Sequence, residues 1–235
     1  ASPTAGATVT CTGVPSLPLF LNTFASAVNG LTVNVNSGAQ MNATLGGQVL
    51  NLTGNNLTLN NSGTIDPALL GLVTVLSGGV TLGNTAASNV TINNTLTGII
   101  RGTGDVLGLN LTSLAGMAMN VVNGAGGVTN ITNNGTIGSN ALLNLTLFSS
   151  DTPVVAVQGG SQVNMVNNGT LTGRVAFETS STGNTFINTG TISGGVSMGA
   201  ASSNTFTAVT GSTITNGGGV GLSLGGLIGV NLTSS

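Results

Sequence analysis

Apolar and polar residues alternate with a period of two along much of this chain. The alternation begins in LTVNVNSG (31–38) and returns in QVLNLTGNNLTLNNSGTI (48–65) and NVTINNTLTG (89–98). Successive side chains of an extended strand point to opposite faces, so this pattern predicts short strands with one face buried and the other in water. Clusters of Asn and Gly separate the runs and supply the tight-turn conformations that corners require. NNLTLNN (55–61) places four or five strand residues between two such corners, the length of one side of a coil.

One phrase marks the corners. It reads NNSGTI at 60–65, NNGTI at 133–137, NNGTL at 167–171, NTGTI at 188–192 and TGSTI at 210–214, and 93–96 reads NNTL with the glycine missing. The threonines that open the following β runs are Thr64, Thr95, Thr136, Thr170, Thr191 and Thr213, at steps of 31, 41, 34, 21 and 22 residues. The last two steps approximate one turn of a three-sided solenoid; the longer ones fit a coil with an insertion, or two coils of which one has lost the phrase. NTF at 184–186 and at 204–206 precedes the phrase, and QVNMV (162–166) stands where another NTF belongs. Glycines follow it, at Gly173, Gly194, Gly195 and 217–219. One unit therefore reads strand, Asn/Gly turn, strand, Gly turn, strand, polar return.

A chain of this kind takes its shape from stacking neighbouring units, each strand pairing in parallel with its copies one coil away. Equivalent side chains then line up along the axis about 4.8 Å apart. Ile65, Ile137, Leu171, Ile192 and Ile214 are expected to form one internal column, and Met165, Phe186 and Phe206 another. Asn at repeated corners is expected to form amide ladders, each side chain bonding the one above. The predicted fold is an all-β parallel solenoid of about ten coils, a right-handed β-helix.

Residues 1–30 depart from the pattern. They hold Pro3, Pro15 and Pro18 and the apolar run LPLFLNTFASAV (17–28), read as an N-terminal cap or a first irregular coil, with a short helix or hydrophobic plug as alternatives. The repeat domain is expected over 31–235. Four stretches, 66–83, 99–122, 141–158 and 217–232, are more apolar and poorer in the phrase. They are read as core strands, with exposed adhesive loops as the alternative.

Composition narrows the function. Charge is confined to Asp66, Arg101, Asp105, Asp151, Arg174 and Glu178, 3% of the chain against about 25% in an ordinary domain. Disordered chains combine low hydrophobicity with high net charge; a net charge of −2 and 40% hydrophobic residues oppose that. A surface without charge has little to keep two copies apart, so self-association follows more naturally than monomeric life in crowded cytosol. Two arginines and no lysine exclude a nucleic-acid footprint. No apolar run has the length of a transmembrane helix, and without Trp or Tyr there are no aromatic girdles for a membrane barrel. The start, ASPTAGATVTCTG, is the kind of end that secretory cleavage leaves.

Chemistry is poorly supplied. With no His, Ser-His-Asp and Cys-His constellations and zinc clusters have no parts. Cys11 is read as a packing thiol or as one half of a disulfide to a partner elsewhere. Paired-carboxylate cleavage of polysaccharides has only Asp66, Asp105, Asp151 and Glu178 to draw on. Arg174 and Glu178 are close enough in sequence to pair, and Asp66 and Asp151 precede turns. RGTGDVLG (101–108) approaches a nucleotide-loop pattern but lacks the acidic residue further on. The Asn-x-Thr/Ser triplets at Asn42, Asn51, Asn56, Asn89, Asn110 and Asn144 follow from composition. Neither a catalytic residue nor a cofactor or metal site is expected.

The N-N-G-T-I/L-x-G units, the scarcity of charge and the TVTCTG start (8–13) resemble the passenger regions of bacterial autotransporter (type V secreted) proteins and haemagglutinin-like adhesins. The resemblance covers most of 31–235 and is one of style. It implies a right-handed parallel β-helix, export to the bacterial surface, and a part in adhesion, autoaggregation or biofilm. The chain departs from such proteins in carrying no membrane barrel, which reads as a fragment or processed passenger. The expected function is a secreted or cell-surface structural adhesin that associates with itself and with host or abiotic surfaces. The alternatives are a filament subunit that polymerises through coil edges and a carbohydrate-binding or carbohydrate-cleaving β-helix.

Overall fold

The structure, a computed structural model, describes residues 2–14, 22–43, 47–67, 77–102, 117–139, 153–179, 183–199, 203–209, 213–215, 222–223 and 228–233. The chain winds repeatedly through three sheets. The first winding gives β1 (Thr8–Cys11) and β2 (Phe24–Ser26), and the second β3 (Thr32–Val35), β4 (Gln40–Met41) and β5 (Gln48–Leu52). The third gives β6 (Leu57–Asn61), β7 (Thr64–Ile65) and β8 (Gly78–Asn84), and the fourth β9 (Asn89–Asn94), β10 (Ile99–Gly102) and β11 (Met119–Asn123). Then come β12 (Val128–Asn133), β13 (Thr136–Ser139) and β14 (Val155–Gly159), followed by β15 (Gln162–Asn167), β16 (Thr170–Thr172) and β17 (Val175–Thr179). The last are β18 (Thr185–Asn188), β19 (Thr191–Ser193), β20 (Val196–Ser197), β21 (Asn204–Val209), β22 (Thr213–Thr215), β23 (Leu222–Ser223) and β24 (Ile228–Thr233).

Each strand pairs with its counterparts in the windings before and after. The first sheet orders β1-β3-β6-β9-β12-β15-β18-β21-β24, the second β4-β7-β10-β13-β16-β19-β22, and the third β2-β5-β8-β11-β14-β17-β20-β23. Among the described residues every such pairing is parallel. This is a parallel β-solenoid, nine strands deep in its first sheet.

The interior is a set of apolar columns. In the second sheet Ile65, Ile100, Ile137, Leu171 and Ile192 stack in register, fully buried, and the register continues to Ile214. In the first sheet Val33, Leu59, Ile92, Ile131, Met165, Phe186 and Phe206 do the same. QVNMV thus occupies the place of an NTF segment. Phe186 lies 5.9 Å from Phe177 of the third sheet and 5.3 Å, edge to face, from Phe206, in the geometry that aromatic quadrupoles favour.

The corner between the first and second sheets explains the repeated phrase. Asn61, Asn94, Asn133, Asn167 and Asn188 share one register position and are wholly buried. The Nδ2 of each donates to the Oδ1 of the next, at 2.8, 2.8, 2.7 and 2.7 Å. Carbonyls at the corner accept from the same amides, including those of Gly98 at 3.0 Å and Gly190 at 3.1 Å. The glycine of the phrase is needed for space. A Cβ on Gly169 would strike the carbonyl oxygen of Gly135, and one on Gly190 that of Gly169.

Two expectations at this corner are corrected. Thr95 does not open a strand: the register sets Ile99 against Thr64 and Thr136. Nor is the glycine of that winding missing, because Gly98 holds its place after a corner two residues longer than its neighbours. The widened turn leaves Leu96 82% exposed.

The opening residues contribute strands rather than a helix over 24–26, while 15–21 lie outside the described residues. Ala7, Val9, Cys11 and Phe24 pack on the core but are only half-buried. Of the four apolar stretches, the described parts enter β8, β10, β11, β14, β23 and β24, and the first three stretches bury Val80, Leu82, Ile100, Met119, Val121, Val155 and Val157. Residues 68–76, 103–116, 140–152, 216–221 and 224–227 lie outside the described ones.

Phe186→Ala is expected to lower stability by about 3–5 kcal/mol, the cost of an emptied aromatic site. Phe186→Met, which repeats the residue one winding earlier, should cost under about 1.5 kcal/mol. Urea unfolding followed by circular dichroism measures both, and equal losses would show that this column is not close-packed.

Candidate interaction surface

The outward face of the first sheet is a regular surface. Strands there alternate buried and half-exposed residues, so the residues between the core columns form two rows running along the axis. One row holds Thr8, Thr32, Thr58, Thr91, Asn130, Asn164, Thr185 and Thr205. The other holds Thr10, Asn34, Asn60, Asn93, Thr132, Val166, Ile187 and Thr207. All but Val166 and Ile187 are Thr or Asn, and none is charged. In-register stacking favours such neutral residues, since like charges directly opposite on paired strands repel.

Hydrogen bonds fix parts of these rows. Asn60 Nδ2 donates to Asn34 Oδ1 at 2.9 Å, and Asn93 Nδ2 to Asn60 Oδ1 at 2.8 Å. Further along, Asn164 Nδ2 donates to Asn130 Oδ1 and Thr185 Oγ1 to Asn164 Oδ1, both at 3.0 Å. These outer ladders are wet counterparts of the buried one.

The charged residues among the described ones lie elsewhere. Arg101 on β10 holds Asp66, which follows β7, at 3.2 Å. Asp66 thus anchors an ion pair, where the sequence suggested only a turn. Arg174 and Glu178 pair as anticipated, at 3.8 Å with the Glu178 side chain half exposed, a geometry worth about 0–1 kcal/mol. The Nε of Arg174 and the Oδ1 of Asn51 are buried without a partner. Asp105 and Asp151 lie outside the described residues. The structure therefore brings together no pair among the carboxylates it describes: Asp66 follows a strand of the second sheet, and Glu178 belongs to the third.

Among the described residues no group of three or more His, Cys, Asp or Glu could hold a metal ion. Likewise, no helix is long and apolar enough to cross a membrane. Of RGTGDVLG, Arg101 and Gly102 end a β-strand and the rest lies outside the described residues. Cys11 is a free thiol, half-buried at the end of β1. No family model, curated protein or solved structure matches the chain.

The repeated phrase makes the corner ladder legible in the sequence, but it does not reveal the two-row face. Its signal was present one strand earlier, in TVT (8–10), TVN (32–34), TLN (58–60), TIN (91–93), NIT (130–132) and TFT (205–207). The variable spacing between these triplets hides them until the windings are aligned.

Burial raises the Cys11 thiol above its ordinary value, because desolvation disfavours the thiolate. The contribution to stability is complete below the unfolded-state value and is lost as the pH rises through the folded one. At pH 8 the folded chain should therefore react with an aromatic disulfide reagent more slowly than the urea-unfolded chain, the thiolate being the nucleophile. Equal rates would place Cys11 in open water.

Proposed function

We propose that this chain is a non-catalytic structural protein of the bacterial cell surface or extracellular space, and that it works by self-association and surface attachment along its solenoid faces. The observation that carries this reading is the first sheet's outward face, two uncharged rows through eight windings that are Thr or Asn at every position except Val166 and Ile187. A second copy meeting such a face encounters no like-charge repulsion. Its polar groups are hydroxyls and amides that a partner can satisfy, far cheaper to desolvate than ions. The surface location and a place among autotransporter passengers or haemagglutinin-like adhesins rest on the resemblance of the repeats.

A second reading has its own support. At the first winding Ala7, Val9, Cys11 and Phe24 leave core residues half-buried, and β1 ends its sheet. An unpaired strand edge is a template for another chain, which favours a filament subunit adding end to end.

Sedimentation velocity over a concentration series, with electron microscopy of the same samples, tests both. Lateral association predicts compact clusters that grow with concentration and are lost in a Thr58→Lys/Thr91→Lys variant, which sets like charges at neighbouring positions of one row. Linear fibres that persist in the variant favour the filament. Concentration-independent single particles overturn both readings.

A further inference from the structure

We propose that the outward face of the first sheet binds the surface of ice. The proposal names a ligand for the face already assigned to attachment, and it rests on that reading only in using the same face. The first reason is periodicity. A ligand that meets small uncharged side chains at the same two positions of every winding, with the Thr–Asn pair itself repeated at 32/34, 58/60 and 91/93, must itself repeat in two directions. Along each row the repeat is the strand spacing of about 4.8 Å, and between the rows it is two residues of strand, about 6.6 Å. These lie near the two short repeats of the hexagonal ice lattice. Small-molecule ligands, by contrast, favour concave sites lined by converging groups.

The second reason is chemistry. Thr32, Thr58 and Thr91 each present a hydroxyl that can take a place in a water network and a methyl over which water forms an ordered cage. Val166 and Ile187 keep the methyl where the hydroxyl is absent. Asn34, Asn60 and Asn93 add amide donors and acceptors in the adjoining row. The ice lattice rejects ions, and a charged face would carry a hydration shell that does not fit it; this face has no charge. It also has no outward aromatic ring of the kind on which sugar rings stack, which separates it from a platform for neutral polysaccharide.

The third reason is rigidity. Parallel pairing holds the backbone in register through these windings, and the Asn34–Asn60–Asn93 ladder fixes side chains at 2.9 and 2.8 Å. Side chains ordered beforehand lose little further entropy at a surface.

The test is partition of the full chain into slowly growing ice, scored against a non-binding protein of similar size, together with inhibition of ice recrystallisation. The wild-type chain should be enriched in ice several-fold over the control. Thr58→Tyr and Thr91→Tyr, which raise bulk above the plane of the rows, should abolish the enrichment. Thr58→Val, which keeps the methyl, should retain most of it, and Glu178→Tyr on the third sheet should leave it unchanged. Circular dichroism confirms that each variant keeps its fold. Exclusion of the folded wild-type chain from ice overturns the proposal without the help of any variant. So does ice exclusion accompanied by a doubled mass in sedimentation, which assigns the face to a second copy. Capture on insoluble neutral polysaccharide with exclusion from ice overturns it in favour of a sugar polymer. Loss of ice adsorption leaves self-association standing, and the reverse holds as well, so the two proposals fail separately.

Discussion

The buried amide ladder is the constraint on which the rest of the solenoid depends. Asn61, Asn94, Asn133, Asn167 and Asn188 are fully enclosed, and a buried amide without partners costs about 1–3 kcal/mol for each group left unpaired. Corner carbonyls satisfy part of each amide, and the remainder is met by an identical residue in a neighbouring winding, bonded at 2.7–2.8 Å. The windings must therefore superpose residue on residue. A slip of one position would remove an asparagine from its partner and turn the apolar column beside it outward.

Several features follow from that superposition. The windings approach so closely at the corner that a Cβ has no room, so Gly63, Gly98, Gly135, Gly169 and Gly190 recur there. Equivalent positions stack in every row, so a charged residue repeated in a row would face its own charge about 4.8 Å away. Neutral hydrogen-bonding side chains escape that penalty, which accounts for the Thr and Asn on the outward face of the first sheet and, among the described residues, for charges that occur as the isolated pairs Asp66–Arg101 and Arg174–Glu178. The properties proposed for the outer face, adhesion to a second copy and adsorption to a periodic surface, derive from the same rule of stacking that holds the interior together.

The sequence made the three-sided winding legible, because the phrase that sets the corner is short and its residues cannot easily be exchanged. The Met165, Phe186 and Phe206 column emerged from two NTF segments and one QVNMV segment. The fourth winding was misaligned at Thr95, since two added residues move Gly98 away from Asn94 without altering either role. The same two residues hide Ile100, which completes the column between Ile65 and Ile137. The outer rows are hidden in the sequence for a related reason. Thr and Asn are abundant throughout the chain, and only the register distinguishes a Thr that lies in a row from one that lies in a turn.

Asn133 and Asn130 offer the most direct measurement, because they lie on the same strand, one inward and one outward. Urea unfolding of Asn133→Ala and Asn130→Ala compares a buried rung with a half-exposed one. Asn133→Ala removes the acceptor of one Asn94 Nδ2 proton and the ladder donor to Asn167 Oδ1 and is expected to cost about 2–4 kcal/mol, while Asn130→Ala should cost under about 1 kcal/mol. Equal and small losses at the two positions would contradict that expectation, since the windings would then stay in register without the ladder.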